Sequence, residues 1–171
     1  GLKQNGSLTV ATTSDRLEEL KRQVTFAQRF DIEAKEVNSE EIKEIYPLIN
    51  VEDIVGGVFI ARDGQADPVG VANVLAKAAR QNGAQIIEKC PVKKILKKDN
   101  KIVGVETSKG KIECEYVVLA TGMWSRQIAQ DIDVSIPLYP DEHFYVLSEP
   151  IKEIDKSLPV LRDYNNCLYL K

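Results

Sequence analysis

The only histidine of the chain, His143, stands in the run Asp141-Glu142-His143-Phe144-Tyr145. On an alternating strand His143 and Tyr145 share one face. An imidazole beside a phenol can orient a small substrate or take a proton from it. The same pattern also suits a sheet surface on which both groups merely hydrogen-bond to structure. A second cluster is Val117-Val118-Leu119-Ala120, followed by Thr121-Gly122 and Met123-Trp124-Ser125. An apolar strand that turns through small residues into a helix presents backbone N–H groups at its carboxyl end. Nucleotide phosphates bind at such places in open α/β sheets, and Gly122 permits close backbone approach. A strand–helix turn that simply needs a small residue reads the same way.

Other chemistry-bearing residues have structural explanations. Asp67 before Pro68 is a helix cap. Arg162-Asp163 suits either a carboxylate contact or an ion pair flanking a turn. Lysines 93, 94, 97, 98, 101, 109 and 111 lie beside Glu106, Glu113 and Glu115 and read as a solvated face. Cys90, Cys114 and Cys167 have no histidine near them in sequence, so thiol catalysis has no support. Their odd number and wide spacing argue against a disulfide framework or a structural zinc site, and for a reducing compartment. Gly56-Gly57 lacks the flanks of a phosphate loop.

The elements that must position these groups belong to a chain of 171 residues, with 23 Lys+Arg against 26 Asp+Glu and 43% hydrophobic residues. That composition excludes a disordered chain. A net charge of −3 argues against a nucleic-acid partner. No apolar run approaches the roughly 20 residues of a membrane-spanning helix. The chain starts without Met and stops on Leu168-Tyr169-Leu170-Lys171, which reads as mid-strand, so a piece of a longer protein is expected.

Periodicity predicts a strand at Ser7–Thr12, then a helix with Leu17, Leu20, Val24 and Ala27 on one stripe and Phe26 and Phe30 beside it. A shorter helix is expected from Asn38/Ser39 to just before Pro47. Val55–Arg62 reads as a strand with a glycine bend, and Asp67-Pro68 as the start of a helix that ends at Gly83. Strands are predicted at Ala84–Cys90, through a meander from Val92 to Tyr116, at Val117–Ala120, and around Phe144–Ser148 and Cys167–Leu170. A short helix is expected over Met123–Ile132. The all-apolar Val117–Ala120 suits a strand buried on both faces. The class is mixed α/β.

Taken in order, several pieces resemble one family. They are Gly6-Ser7-Leu8, the helix Asp15–Arg22, Ile45-Tyr46-Pro47-Leu48, Asp63-Gly64-Gln65-Ala66-Asp67-Pro68, Val117–Ser125 and Glu142-His143-Phe144-Tyr145. Together they look like the dimethylglycine/sarcosine dehydrogenase branch of the D-amino-acid-oxidase-like FAD-dependent oxidoreductases. The resemblance implies a fragment of an FAD-binding Rossmann-like domain interleaved with a mixed, largely antiparallel substrate domain. On that pattern residues 67–132 belong to the FAD-binding part, and residues 1–66 and 133–171 to the substrate domain. It implies backbone contacts from Val92 to the adenine end of FAD, Thr121 and Gly122 near the cofactor's centre, and Trp124 just after. It also implies His143 and Tyr145 on the substrate side, where Tyr145 would help hold the amine.

The implied reaction is hydride transfer from an N-methyl carbon of sarcosine or dimethylglycine to FAD. The implied partners are that small amino acid and an electron-transfer flavoprotein, with no nucleic acid and no membrane span. The implied location is the cytoplasm of a bacterium or the mitochondrial matrix of a eukaryote. In such proteins the GxGxxG turn and the acidic ribose-binding residue lie upstream of this stretch. The segment alone is therefore expected to be inactive. Two competing readings are a non-catalytic regulatory relative and a stand-alone scaffold module. A scaffold predicts no bare apolar sheet face, whereas a segment of a larger sheet predicts exposure around Val117–Ala120.

Overall fold

The computed structural model describes all residues, Gly1–Lys171. They form two compact units, residues 1–81 with 148–171, and residues 82–147.

The first unit is built around a five-stranded sheet of order β10-β9-β2-β4-β3. Its central strand β2 (Ser7–Ala11) runs antiparallel to β4 (Gly56–Ile60) and parallel to β9 (Val160–Asp163). β3 (Lys35–Val37) extends β4, and β10 (Leu168–Leu170) closes a hairpin with β9. A two-stranded ribbon of β1 (Leu2–Lys3) and β5 (Gln65–Ala66) lies apart from the sheet.

Alternation along β2 divides the core. Leu8 and Val10 pack with Val37, Ile42, Tyr46, Ile54 and Leu161 on one side, and Ala11 packs with Leu20, Val24 and Val58 on the other. Helix α1 (Ser14–Ala27) covers the second side, and Thr13 caps it by accepting the Arg16 N–H at 3.3 Å. Leu20 and Val24 are buried as the stripe predicts. Phe26 and Phe30, expected beside that stripe, instead face solvent and meet edge to face at 5.2 Å. Helix α2 (Ser39–Ile45) covers the first side. It opens on a capping box in which Asn38 Oδ1 accepts the Glu41 N–H at 2.9 Å and the Glu41 carboxylate accepts the Asn38 N–H at 2.9 Å. Gly57 is required where β4 crosses β2, because a Cβ there would stand 2.5 Å from the Thr9 carbonyl oxygen.

Helix α3 (Pro68–Gln81) begins as its sequence predicts, with the Asp67 carboxylate accepting the N–H groups of Val69 (3.2 Å) and Gly70 (3.0 Å). None of its residues is buried. Val69, Val74 and Leu75 all project into solvent.

The second unit holds the predicted meander, β6 (Val92–Lys98), β7 (Lys101–Thr107) and β8 (Gly110–Glu113), all antiparallel. Asp99 and Asn100 both adopt positive φ (50° and 61°), the conformation of a tight two-residue hairpin. At the second turn the Thr107 hydroxyl donates to the Gly110 carbonyl (2.7 Å) and accepts the Lys109 N–H (3.0 Å). Gly122–Trp124 forms a 3₁₀ turn leading into α4 (Ser125–Gln130), where a longer helix to Ile132 was expected.

Three predicted strands are absent. Ala84–Cys90, Val117–Ala120 and Phe144–Ser148 carry no strand hydrogen bonding. Val117–Ala120 was expected to be buried on both faces, yet Val118 is 88% exposed. A strand buried on both faces needs neighbouring strands, and no strand of this chain pairs with it. Phe144–Leu147 is likewise bare, since its alternation finds no ladder partner. Bare apolar stretches are what a segment of a larger sheet predicts and what a self-contained scaffold does not.

Candidate functional site

The turn after Ala120 is assembled from short-range contacts. Gly122 has φ +55°, a conformation that favours glycine, and a Cβ there would meet nothing within 4 Å. Thr121 does not cap the turn with its side chain; its hydroxyl hydrogen-bonds the Ser125 hydroxyl at 2.8 Å. The turn thus carries no side-chain cap, and the space a Gly122 Cβ would fill is open. That arrangement fits a backbone contact to an anionic or polar cofactor group. Val92 begins β6 and is half exposed, with its backbone in the ladder to Thr107. Trp124, at the end of the turn, is 60% exposed.

Residues 138–140 return to this turn. Met123, Arg126 and Gln130 on one side and Leu138, Tyr139 and Pro140 on the other line a cleft of about 290 Å³. His143 follows Pro140 by three residues, so its Cα lies within about 11 Å of that cleft wall. His143 itself is exposed and does not line that cleft. The expected shared strand face of His143 and Tyr145 is not formed, because residues 141–150 have no regular secondary structure. Tyr145 is 79% exposed.

In the first unit a second cavity lies on the α2 side of the sheet. It has about 310 Å³, and its lining includes Val10, Tyr46, Ile54, Leu161, Asp163 and Leu168. Burial raises the Tyr46 phenol above its ordinary pKa. Asp163 was weighed only together with Arg162, as a carboxylate contact or a turn-flanking ion pair, and nothing in a lone tyrosine before Pro47 announces a cavity. The Arg162-Asp163 pair forms no ion pair. Successive β9 side chains leave on opposite faces. Arg162 stacks its guanidinium on the Tyr169 ring at 5.5 Å, and Asp163 binds the turn that follows.

Two further groups are perturbed. Asp63 is held below the ordinary carboxylate value chiefly by a hydrogen bond from Ser7, with help from the Gly64 N–H and the Arg162 charge, against the opposing effect of burial. The Cys90 thiol is lowered by hydrogen bonding to Thr107 foremost, then by Ser108 and Lys109.

The mixed sheet, the meander and the small-residue turn into α4 define the class to which the chain belongs. A family model described as DAO, FAD dependent oxidoreductase, matches residues 1–170, and the chain is a member of that family. Among its relatives is mitochondrial sarcosine dehydrogenase of Homo sapiens, 36% identical over 173 residues, covering 98% of this chain and 19% of that protein. Another is the mitochondrial pyruvate dehydrogenase phosphatase regulatory subunit of Mus musculus, 35% identical over 174 residues, covering 100% of this chain and 20% of that protein. The crystal structure of L-proline dehydrogenase from P. horikoshii superimposes with a TM-score of 0.78 at 26% identity, covering 99% of this chain and 46% of that one. The chain thus spans about a fifth of the length of the curated relatives it matches.

Proposed function

We propose that the chain is part of a flavin-dependent amine oxidoreductase that oxidises an N-methyl amino acid of the sarcosine or dimethylglycine type. The observation that carries this reading is the match of the FAD dependent oxidoreductase family across residues 1–170, together with 36% identity to a sarcosine dehydrogenase. When bound, FAD supplies the acceptor for the hydride. The chain's own residues bind and orient. The backbone at Thr121 and Gly122 would hold the middle of the cofactor, the Val92 backbone would hold its adenine end, and Trp124 would flank the turn. His143 and Tyr145 hold the amine and take its proton, since only a neutral amine gives up hydride readily. On this reading residues 67–132 serve the cofactor and residues 1–66 and 133–171 the substrate domain. An electron-transfer flavoprotein accepts the electrons. The setting is the bacterial cytoplasm or the mitochondrial matrix.

The test is the visible spectrum of the full-length protein. Flavin absorbance near 450 nm that bleaches on adding sarcosine or dimethylglycine supports the reading, and its absence sinks it. The 171-residue segment alone is expected to show no turnover, because α3 and residues 116–120 leave apolar surface uncovered. The second reading, a non-catalytic regulatory relative, is favoured by the 35% identity to a regulatory subunit. A full-length protein without bleachable flavin would decide for it.

A further inference from the structure

We propose that the cavity on the α2 side of the five-stranded sheet is a binding site for a small alkylammonium ion, with Asp163 as its counter-charge. Asp163 lines this cavity and is only 8% exposed. Its oxygens accept three hydrogen bonds from the β9–β10 turn. The Asn165 and Asn166 N–H groups reach Oδ1 at 3.0 and 3.2 Å, and Asn166 Nδ2 reaches Oδ2 at 2.7 Å. These donors are neutral. They satisfy lone pairs without cancelling the charge, and a carboxylate with about four acceptor sites keeps room for one more donor.

No cation fills that role within the chain. None of the ion pairs Arg16–Glu19, Lys21–Glu18 and Lys35–Glu41 involves Asp163. The adjacent Arg162 is committed to the opposite face, over Tyr169. No Lys, Arg or His lines the cavity, and a second carboxylate, Asp53, stands exposed at its rim. A buried carboxylate without a counter-ion is costly.

The rest of the wall defines the ligand's body. Val10, Ile54, Leu161, Leu168 and Leu170 are aliphatic, and the volume of about 310 Å³ falls within the range of small-molecule sites. An aliphatic chain bearing one ammonium group satisfies both features. A carboxylate ligand would be repelled by Asp163 and Asp53.

The experiment measures binding to the full-length protein by calorimetry, with three probes of similar shape: N-methylbutylammonium, neutral butyl methyl ether and anionic pentanoate. The ammonium is expected to bind at least about tenfold tighter than the ether, a modest charge-pair effect, and pentanoate weakest. The paired change Asp163→Asn with Asn166→Asp keeps the turn hydrogen bond and moves the charge to an exposed position. It should cost the ammonium about tenfold or more and leave the ether unchanged. Leu168→Trp, on the outer strand, should fill the cavity and abolish binding of both. Equal binding of ammonium and ether, tighter binding of pentanoate, no binding at all, or ammonium binding that survives the variants would each overturn the site. If the paired variant fails to fold, Leu168→Trp decides alone. The readout involves no flavin: ammonium binding without sarcosine turnover defeats only the redox reading, and turnover without cavity binding defeats only this one.

Discussion

The two units of this chain solve the burial problem to different degrees. In the first, β2 has a partner strand on each edge and a helix over each face, so Leu8 on one face and Ala11 on the other are completely buried. In the second, the meander shields Ile95 but leaves Val92 and Ile112 half bare, and residues 116–120 have no ladder at all. Both stretches are strongly apolar in sequence. What separates them is the presence of neighbouring strands within the chain. Hydrophobic patterning states what a segment can bury, and the available partners decide whether it does so.

The sharpest test of this contrast is a pair of truncations. Leu8→Ala should destabilise the first unit by about 2–5 kcal/mol, while Val118→Ala should change stability by less than about 0.5 kcal/mol. Urea denaturation measures both, and similar effects would break the comparison. Next comes the glycine at the strand crossing. Gly57→Ala pushes a Cβ against the Thr9 carbonyl and should cost about 1–3 kcal/mol. Gly122→Ala meets open space and should cost only about 1 kcal/mol, through its positive φ. Removing the cap of α2 with Asn38→Ala should cost about 1 kcal/mol in the same assay.

The smallest effect is electrostatic. Asp63 has a lowered folded-state pKa, so its contribution is present at neutral pH and is lost as pH falls below the ordinary value of 3.8. Wild type should therefore be slightly more stable than Asp63→Asn at pH 6, and the gap should narrow as pH falls below 3.8, followed by circular dichroism. A gap that widens in acid would reverse the assignment.

Much of the first unit was legible in the residues. Asn38 with Glu41, Asp67 with Pro68, and the Leu20–Val24 stripe each carry a local signal, and each appears where expected. The meander was legible for the same reason, since Asp99-Asn100 and Lys109-Gly110 are local turn chemistry. What failed was non-local. β3 is three residues long and β9 pairs across some 150 positions, so neither announces itself by pattern. Val117–Ala120 and Phe144–Ser148 read as strands because apolar runs do not record whether a partner exists. At the candidate site, the Gly122 turn followed from its small residues. Asp163 did not, since its burial depends on a hairpin folding against β2.

The parallel pairing of Ser7 with Val160 sets an order of events during synthesis. One side of β2 must wait on the ribosome, its amide edge open, until β9 has been translated and has left the exit tunnel. Such late closure is slow, and the waiting edge is a target for chaperones or for the wrong strand. The 66 residues of 82–147 emerge within that delay. Lengthening or shortening them would alter the timing of assembly more than the strength of the finished sheet.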